Sequence, residues 1–216
     1  MNIFYIKGKS IMKNILKLIV LLMIPTGYTH AEVTGGLGYS SDYFFRGTSQ
    51  TSGHPSASAW LDWNNDKGMY VGAWTGQVDF NDDASIESNL YLGYGTSLTD
   101  SLSYDIGIIQ YRYNHDYDNL QEVYVGLSYN NLSVYHYVDT DTKVDFTQLT
   151  YNLEFVPVVD ASISYSFTDR NTDHFQLDID YAINDSFTLG LDVMEEIIDG
   201  DYSVDNTVAV GISYSF

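Results

Sequence analysis

Along most of this chain apolar residues recur at every second position, over stretches of about ten residues that end in turn-forming clusters. The pattern is cleanest near the end. Val208, Val210, Ile212, Tyr214 and Phe216 share one face, and Thr207, Ala209, Gly211, Ser213 and Ser215 share the other. Phe187, Leu189, Leu191 and Val193 alternate in the same way with Thr188, Gly190 and Asp192, as do Phe175, Leu177, Ile179 and Tyr181 with Gln176, Asp178 and Asp180. A period of two is the spacing of a strand with unlike faces. Twelve segments carry it, near 33–45, 55–63, 69–79, 85–95, 102–113, 121–129, 132–139, 145–155, 158–167, 174–183, 186–195 and 204–216. The stretch 132–139 is the least regular, because Tyr135 and Tyr137 fall on the face opposite Val134 and Val138.

The connections alternate in character. Asn64 to Gly68, Thr96 to Ser101, Asn130-Asn131, Val156-Pro157 and Asn184-Asp185 are compact. Arg46 to His54, Asp79 to Ala84, Asn114 to Leu120, Thr140 to Val144, Thr168 to Asp173 and Glu196 to Ser203 are longer or more acidic. Short turns at one end and longer loops at the other characterise bacterial outer-membrane barrels, whose strands need only about 9–11 residues to cross a bilayer. After residue 31 no stretch of 18 residues is wholly apolar, so no helix is expected to span. The expected fold is all-β: an antiparallel up-and-down transmembrane β-barrel of about 12 strands, with 10 or 14 also compatible with the pattern. An even number puts both termini on the short-turn side, which is periplasmic in such barrels.

Residues 1–31 have a different composition. Lys7, Lys9, Lys13 and Lys17 precede or enter the apolar run Ile15–Ile24, Pro25 and Gly27 break it, and Thr29-His30-Ala31 offers a small-residue cleavage site. The run is too short for a membrane helix and has the layout of a signal peptide, starting at Met1 or Met12. The barrel domain is then 32–216. Four of the nine basic residues leave with the leader and all 29 acidic residues stay, for a net charge of −24. Such a chain does not bind nucleic acid, which requires Lys and Arg against phosphate. Nor is it disordered, for it holds 20 Tyr, 10 Phe and 3 Trp in alternating patterns. With no cysteine, thiol chemistry, thiolate metal sites and disulfides are excluded.

Aromatics gather near the ends of the segments: Tyr39, Tyr43, Phe45, Trp63, Tyr94, Tyr111, Tyr113, Tyr129, Phe167, Tyr214 and Phe216. They are expected to form girdles at the two membrane interfaces. Phe216, closing an apolar stripe with Tyr214, resembles the C-terminal assembly signal of bacterial outer-membrane proteins.

Ser41 to Gln50 (SDYFFRGTSQ) resembles a signature near the mature N-terminus of the TorF porin family, also known as the Gcw-Chp family of uncharacterised proteobacterial outer-membrane proteins. Tyr70–Phe80, Glu87–Tyr94, Leu102–Tyr113 and Glu122–Tyr129 are similar to that family in its order, so the specific resemblance covers about 33–130. It implies a barrel at the outer membrane and supplies no substrate, catalytic residue or ligand site.

Charges on the inward phase are mostly acidic: Asp42, Asp62, Glu87, Asp105, Glu122, Glu154, Asp178, Asp180 and Asp192. A charge facing lipid costs several kcal/mol, roughly 2–4 for a basic residue at the midplane, so these belong in the lumen. They are candidates for a cation-favouring lining. Arg46 shares the phase of Asp42 in the first segment. Arg112 lies where the apolar phase slips from Ile106 and Ile108 to Ile109, Tyr111 and Tyr113; a β-bulge near 109 would put Gln110 and Arg112 in the lumen. Both arginines are expected to pair with acids across the barrel. Bulky inward residues (Phe44, Trp60, Tyr91, Tyr124) argue for a filled lumen, and small ones (Gly36, Gly38, Gly93, Gly126, Gly211) for an open pore.

No compact Ser–His or Asp–His constellation stands out among His54, His115, His136 and His174, so no enzyme is expected. Asp79, Asp82 and Asp83, with Asp139, Asp141 and Asp145, lack the spacing of a calcium loop and read as negative surface loops rather than a metal site. No cofactor is expected. The leading expectation is a passive channel for small hydrophilic solutes or ions, favouring cations. The alternative is a plugged structural or surface-interaction barrel working through its acidic external loops. Expected partners are outer-membrane lipid, the solutes, and the periplasmic chaperones and barrel assembly machinery during biogenesis.

Overall fold

A computed structural model describes residues 31–80, 83–115, 119–168, 172–198, 201–202 and 207–216. Twelve long strands follow one another: β1 (Ala31–Ser40), β2 (Ser56–Asn65), β3 (Met69–Gln77), β4 (Ile86–Ser97), β5 (Leu102–Tyr113), β6 (Leu120–Tyr129), β7 (Leu132–Asp139), β8 (Asp145–Val156), β9 (Val159–Thr168), β10 (Thr172–Ala182), β11 (Phe187–Ile198) and β12 (Thr207–Ser215). Each pairs antiparallel with its neighbour in sequence, and β12 pairs back to β1, with Gly36 opposite Ser215 and Ser40 opposite Gly211. The sheet therefore closes into an up-and-down barrel, with every interior ladder satisfied by the chain itself. The compact connections lie at one end together with Ala31 and Phe216, and the long ones at the other.

The outward face is apolar. Leu37, Leu61, Val71, Leu90, Val125, Leu127, Ile163, Leu189, Val208 and Val210 all stand exposed, Leu37 at 61 %. Around a closed sheet these side chains make a continuous belt of the kind that needs a hydrocarbon environment. Tyr39, Tyr129, Phe167, Tyr214 and Phe216 are exposed on that surface.

All twelve expected segments are strands, and the first is shorter than expected. β1 stops at Ser40, and 41–55 turns into the barrel. There Phe44 pairs with Ser49 and Phe45 with Thr48 in a tight ribbon. Its two-residue turn is Arg46-Gly47, at φ 49° and 82°. Positive φ at both positions matches the twist of a hairpin, and Gly47 adopts it without steric cost.

Candidate functional site

The cross-strand register fixes which side chains line the lumen. Asp62, Tyr70, Tyr91, Asp105, Tyr111, Glu122, Tyr124, Tyr135 and Tyr137 form one wall, on β2–β7. Their rings lie flat because the neighbouring strand offers glycine beneath them. A Cβ at Gly93 would come 2.2 Å from the Tyr70 hydroxyl, and one at Gly126 would come 2.4 Å from the Tyr135 ring. Gly36 receives Trp60 in the same way. Gly36, Gly93 and Gly126 therefore seat rings and do not widen the pore, whereas Gly38 lies nearest the Ser58 hydroxyl and Gly211 meets no ring.

The hydroxyls of this wall serve its carboxylates. Tyr70 donates to Asp105 Oδ1 at 2.7 Å and Tyr135 to Asp105 Oδ2 at 3.3 Å. Tyr91 donates to Asp62 at 2.5 Å, and Tyr111 to Glu122 Oε2 at 3.0 Å. The hydroxyls of Tyr70 and Tyr124 also bond one another. At the long-loop end Glu87 is 2 % exposed and accepts from Asn89 Nδ2 at 2.7 Å.

The inward ribbon docks on this wall and spans toward the opposite one. Tyr43 packs on Trp74 with ring centroids 5.1 Å apart, and Phe45 on Tyr111 at 5.6 Å. Arg46 donates through both terminal nitrogens to Glu122, at 2.6 and 2.7 Å. Its guanidinium lies over the rings of Phe146, Phe45 and Tyr137, at 4.2, 4.6 and 4.8 Å. Gly47 sits against His174 on β10, where an added Cβ would be 2.9 Å from the imidazole. His174 stacks on Phe146, and neither ring nitrogen has a partner among the described residues. Asp42 is not a strand residue: it accepts from Ser49 Oγ and Thr51 Oγ1, each at 2.6 Å, and holds the ribbon's own shape. Beneath the ribbon a cavity of about 640 Å³ is lined by tyrosines, Arg46 and Asp105.

The second wall, on β8–β11, is built differently. Glu154 stands opposite Asp160, and Asp160 opposite Asp180; Asp178 stands opposite Asp192. Like charges directly across a ladder repel, so folding alone does not favour this arrangement. Asp178 accepts from Ser162 Oγ and Gln176 Nε2, and Glu154 from Asn131 Nδ2. Glu154, Asp160, Asp178 and Asp180 border a cavity of about 720 Å³ at the short-turn end. Neither Lys nor Arg occurs in β8 to β12.

The sequence model of the Gcw_chp family, described as bacterial proteins of unknown function, matches residues 26–195. The chain belongs to the Gcw_chp family. The Gcw_chp barrel also resembles solved structures. A KdgM porin superposes with a TM-score of 0.62 at 11 % identity, covering 86 % of this chain and 99 % of that one. A KdgM porin in complex with disordered oligogalacturonate gives the same values. A NanC porin gives a TM-score of 0.53 at 10 % identity, covering 85 % and 99 %. At such identity the likeness is one of fold. The search of curated proteins found no match.

Three expectations need correction in this Gcw_chp chain. The ladders of β5 with β4 and β6 run without a register shift, so there is no bulge near 109. Gln110 and Arg112 therefore face outward, where Arg112 is exposed and donates to Gln110 Oε1 at 2.8 Å. Ile109, Tyr111 and Tyr113 face inward, where the ribbon and neighbouring rings give them apolar company. Tyr43, Phe45, Tyr111 and Tyr113 are consequently not girdle residues. A register shift does occur in β8, between Glu154 and Val156. Asp160, Tyr70, Tyr135 and Tyr137 are lumen residues that the site prediction missed. For Asp160 the available signal was its place in one polar phase with Ser162, Ser164 and Ser166. Asp82 lies outside the described residues, while Asp139 is a turn cap, accepting from the backbone N–H groups of Asp141 and Thr142.

Proposed function

We propose that this barrel is a passive outer-membrane channel for small hydrophilic solutes and that it prefers cations. The observation that carries the preference is the acidic wall, where Glu154, Asp160 and Asp180 stand in one row and Asp178 faces Asp192. A lumen lined by one sign of charge raises the local concentration of the opposite ion and sets its selectivity. On the tyrosine wall Glu122 is paired with Arg46, so its charge contributes less to that field.

In this reading residues 1–31 are an export leader, the termini and short turns lie in the periplasm, and the long acidic loops face outward. The apolar belt meets outer-membrane lipid, and insertion relies on periplasmic chaperones and the barrel assembly machinery. The resemblance of 41–50 to the TorF porins supports the reading. A shared fold with a porin holding oligogalacturonate does not extend to its solute, because a polyanion would meet repulsion from this wall. A second reading, a plugged barrel that works through its external loops, is favoured by the ribbon lying across the lumen.

The test is single-channel recording of refolded 32–216 in a planar bilayer across a KCl gradient. Stable current steps with a cation-selective reversal potential are expected. Asp178→Asn with Asp180→Asn should move that potential toward zero more than Asp105→Asn does. A heat-modifiable, refolded barrel that gives no steps would sink the channel reading and leave the plugged one.

A further inference from the structure

The Arg46–Glu122 contact has the features of a recognition site and not only of a cross-brace. Glu122 presents both carboxylate oxygens to the flat fork of a guanidinium, at 2.6 and 2.7 Å. Tyr111 holds that carboxylate from the side at 3.0 Å. Tyr137 and Phe146 offer ring faces to the same cation at 4.8 and 4.2 Å. Glu122, Tyr137 and Phe146 come from adjacent strands β6, β7 and β8, whose pairing puts Tyr137 directly opposite Phe146. Only Phe45, at 4.6 Å, arrives with the ribbon. Most of the seat is thus preformed by the wall, and Arg46 is its tethered occupant.

Two further facts bear on exchange. Arg46 is held at φ 49° by the two-residue turn of the ribbon itself, so its guanidinium is carried at the tip of a hairpin that can dock or withdraw as a unit. The Glu122 side chain is only 7 % exposed. That burial is measured with Arg46 seated; withdrawing Arg46 deprives Glu122 of its counter-charge, so a cation that fits the same seat favours release. A bare ammonium or metal ion is a poorer replacement, since it cannot fill both oxygens and stack on the rings at once.

We propose that the Glu122–Tyr137–Phe146 seat is a receptor for guanidinium groups, and that free guanidinium-bearing solutes compete with Arg46 for it and release the ribbon from the lumen. This deepens the channel reading and rests on it for transport, but the seat can be tested without current. The chain has no cysteine, so Thr48→Cys, at an exposed position of the ribbon, takes a single nitroxide label. In lipid vesicles the label should be immobile. Guanidinium chloride, titrated below denaturing levels with NaCl holding ionic strength constant, should convert it to a mobile form. Methylammonium chloride at equal concentration should not. Arg46→Ala should be mobile from the start and indifferent to guanidinium. Arg46→Lys, which keeps the charge without the fork, should be released at several-fold lower guanidinium and serves if the alanine variant does not fold. Equal responses to guanidinium and sodium, or an immobile label in Arg46→Ala, would overturn the proposal. Guanidinium-specific release in a barrel that passes no current would uphold the seat and remove the channel. Current without such release would uphold the channel and remove the seat.

Discussion

The two walls of the lumen carry similar numbers of carboxylates in opposite circumstances. On β2–β7 each acid was given a donor: Tyr91 for Asp62, Tyr70 and Tyr135 for Asp105, Arg46 and Tyr111 for Glu122. On β9–β11 aspartates face aspartates across the ladder. The first arrangement stabilises the barrel and shapes its interior. In the second, Asp178 has Ser162 and Gln176 as donors, but like charges still oppose one another across the ladder and are directed at whatever occupies the lumen. Polar groups that cost stability without structural return are where function is expected to concentrate.

The comparison can be broken in several ways. The largest effect is expected at a ring seat. Gly93→Val drives a side chain into Tyr70 and should cost about 3 kcal/mol, as overpacking does. Gly190→Ala on the other wall meets only the flexible Asp180 carboxylate at 3.1 Å, and should stay within about 0.5 kcal/mol of the parent. Urea midpoints in lipid vesicles measure both, and equal losses would remove the idea of fitted seats. Next is Asp105→Ala, which strands the hydroxyl of Tyr135 and leaves that of Tyr70 with Tyr124 alone in a half-buried site; a loss of about 1–2 kcal/mol is expected from the same titration. On the acidic wall the sign reverses. Asp178→Asn or Asp192→Asn relieves opposed charges and should raise stability by about 0.5–1 kcal/mol while reducing cation selectivity. If either variant lowered the midpoint, that wall would be structural after all. The smallest effect belongs to Arg112→Gln, outward and exposed. Stability should change by less than about 0.5 kcal/mol, and the current through the barrel should not change at all. An altered current would restore the lumen placement that the register denies.

The strands were legible in the sequence because each is one regular alternation, readable without any neighbour. The acids were legible because lipid leaves them one direction to face. Two features were hidden by the same rule. In a barrel, apolar side chains are assigned outward, and Tyr43 and Phe45 continue the outward phase of Val33, Leu37 and Tyr39. They in fact belong to a ribbon that enters the lumen, and Gly47 after Arg46 was the one local sign of a turn. Once the ribbon is inside, the lumen gains apolar surface. Ile109, Tyr111 and Tyr113 can then point inward without a bulge, and Arg112 points out. The apparent phase slip at 109 was thus the imprint of a loop more than fifty residues earlier in the chain. The tyrosines of β7 looked out of phase for a related reason, since Tyr135 and Tyr137 face a wall that uses rings as donors.

The glycine seats also limit how this sequence can drift over evolutionary time. Each seat is a two-part character written on neighbouring strands: a missing side chain at one position and a ring at its partner. Neither half can change first without a penalty, so homologues should inherit or lose them together. In any relative where position 93 carries a side chain, position 70 should no longer carry a ring, and the same linkage should bind 126 to 135 and 36 to 60. Aligned sequences would then record the shape of the lumen as correlated columns.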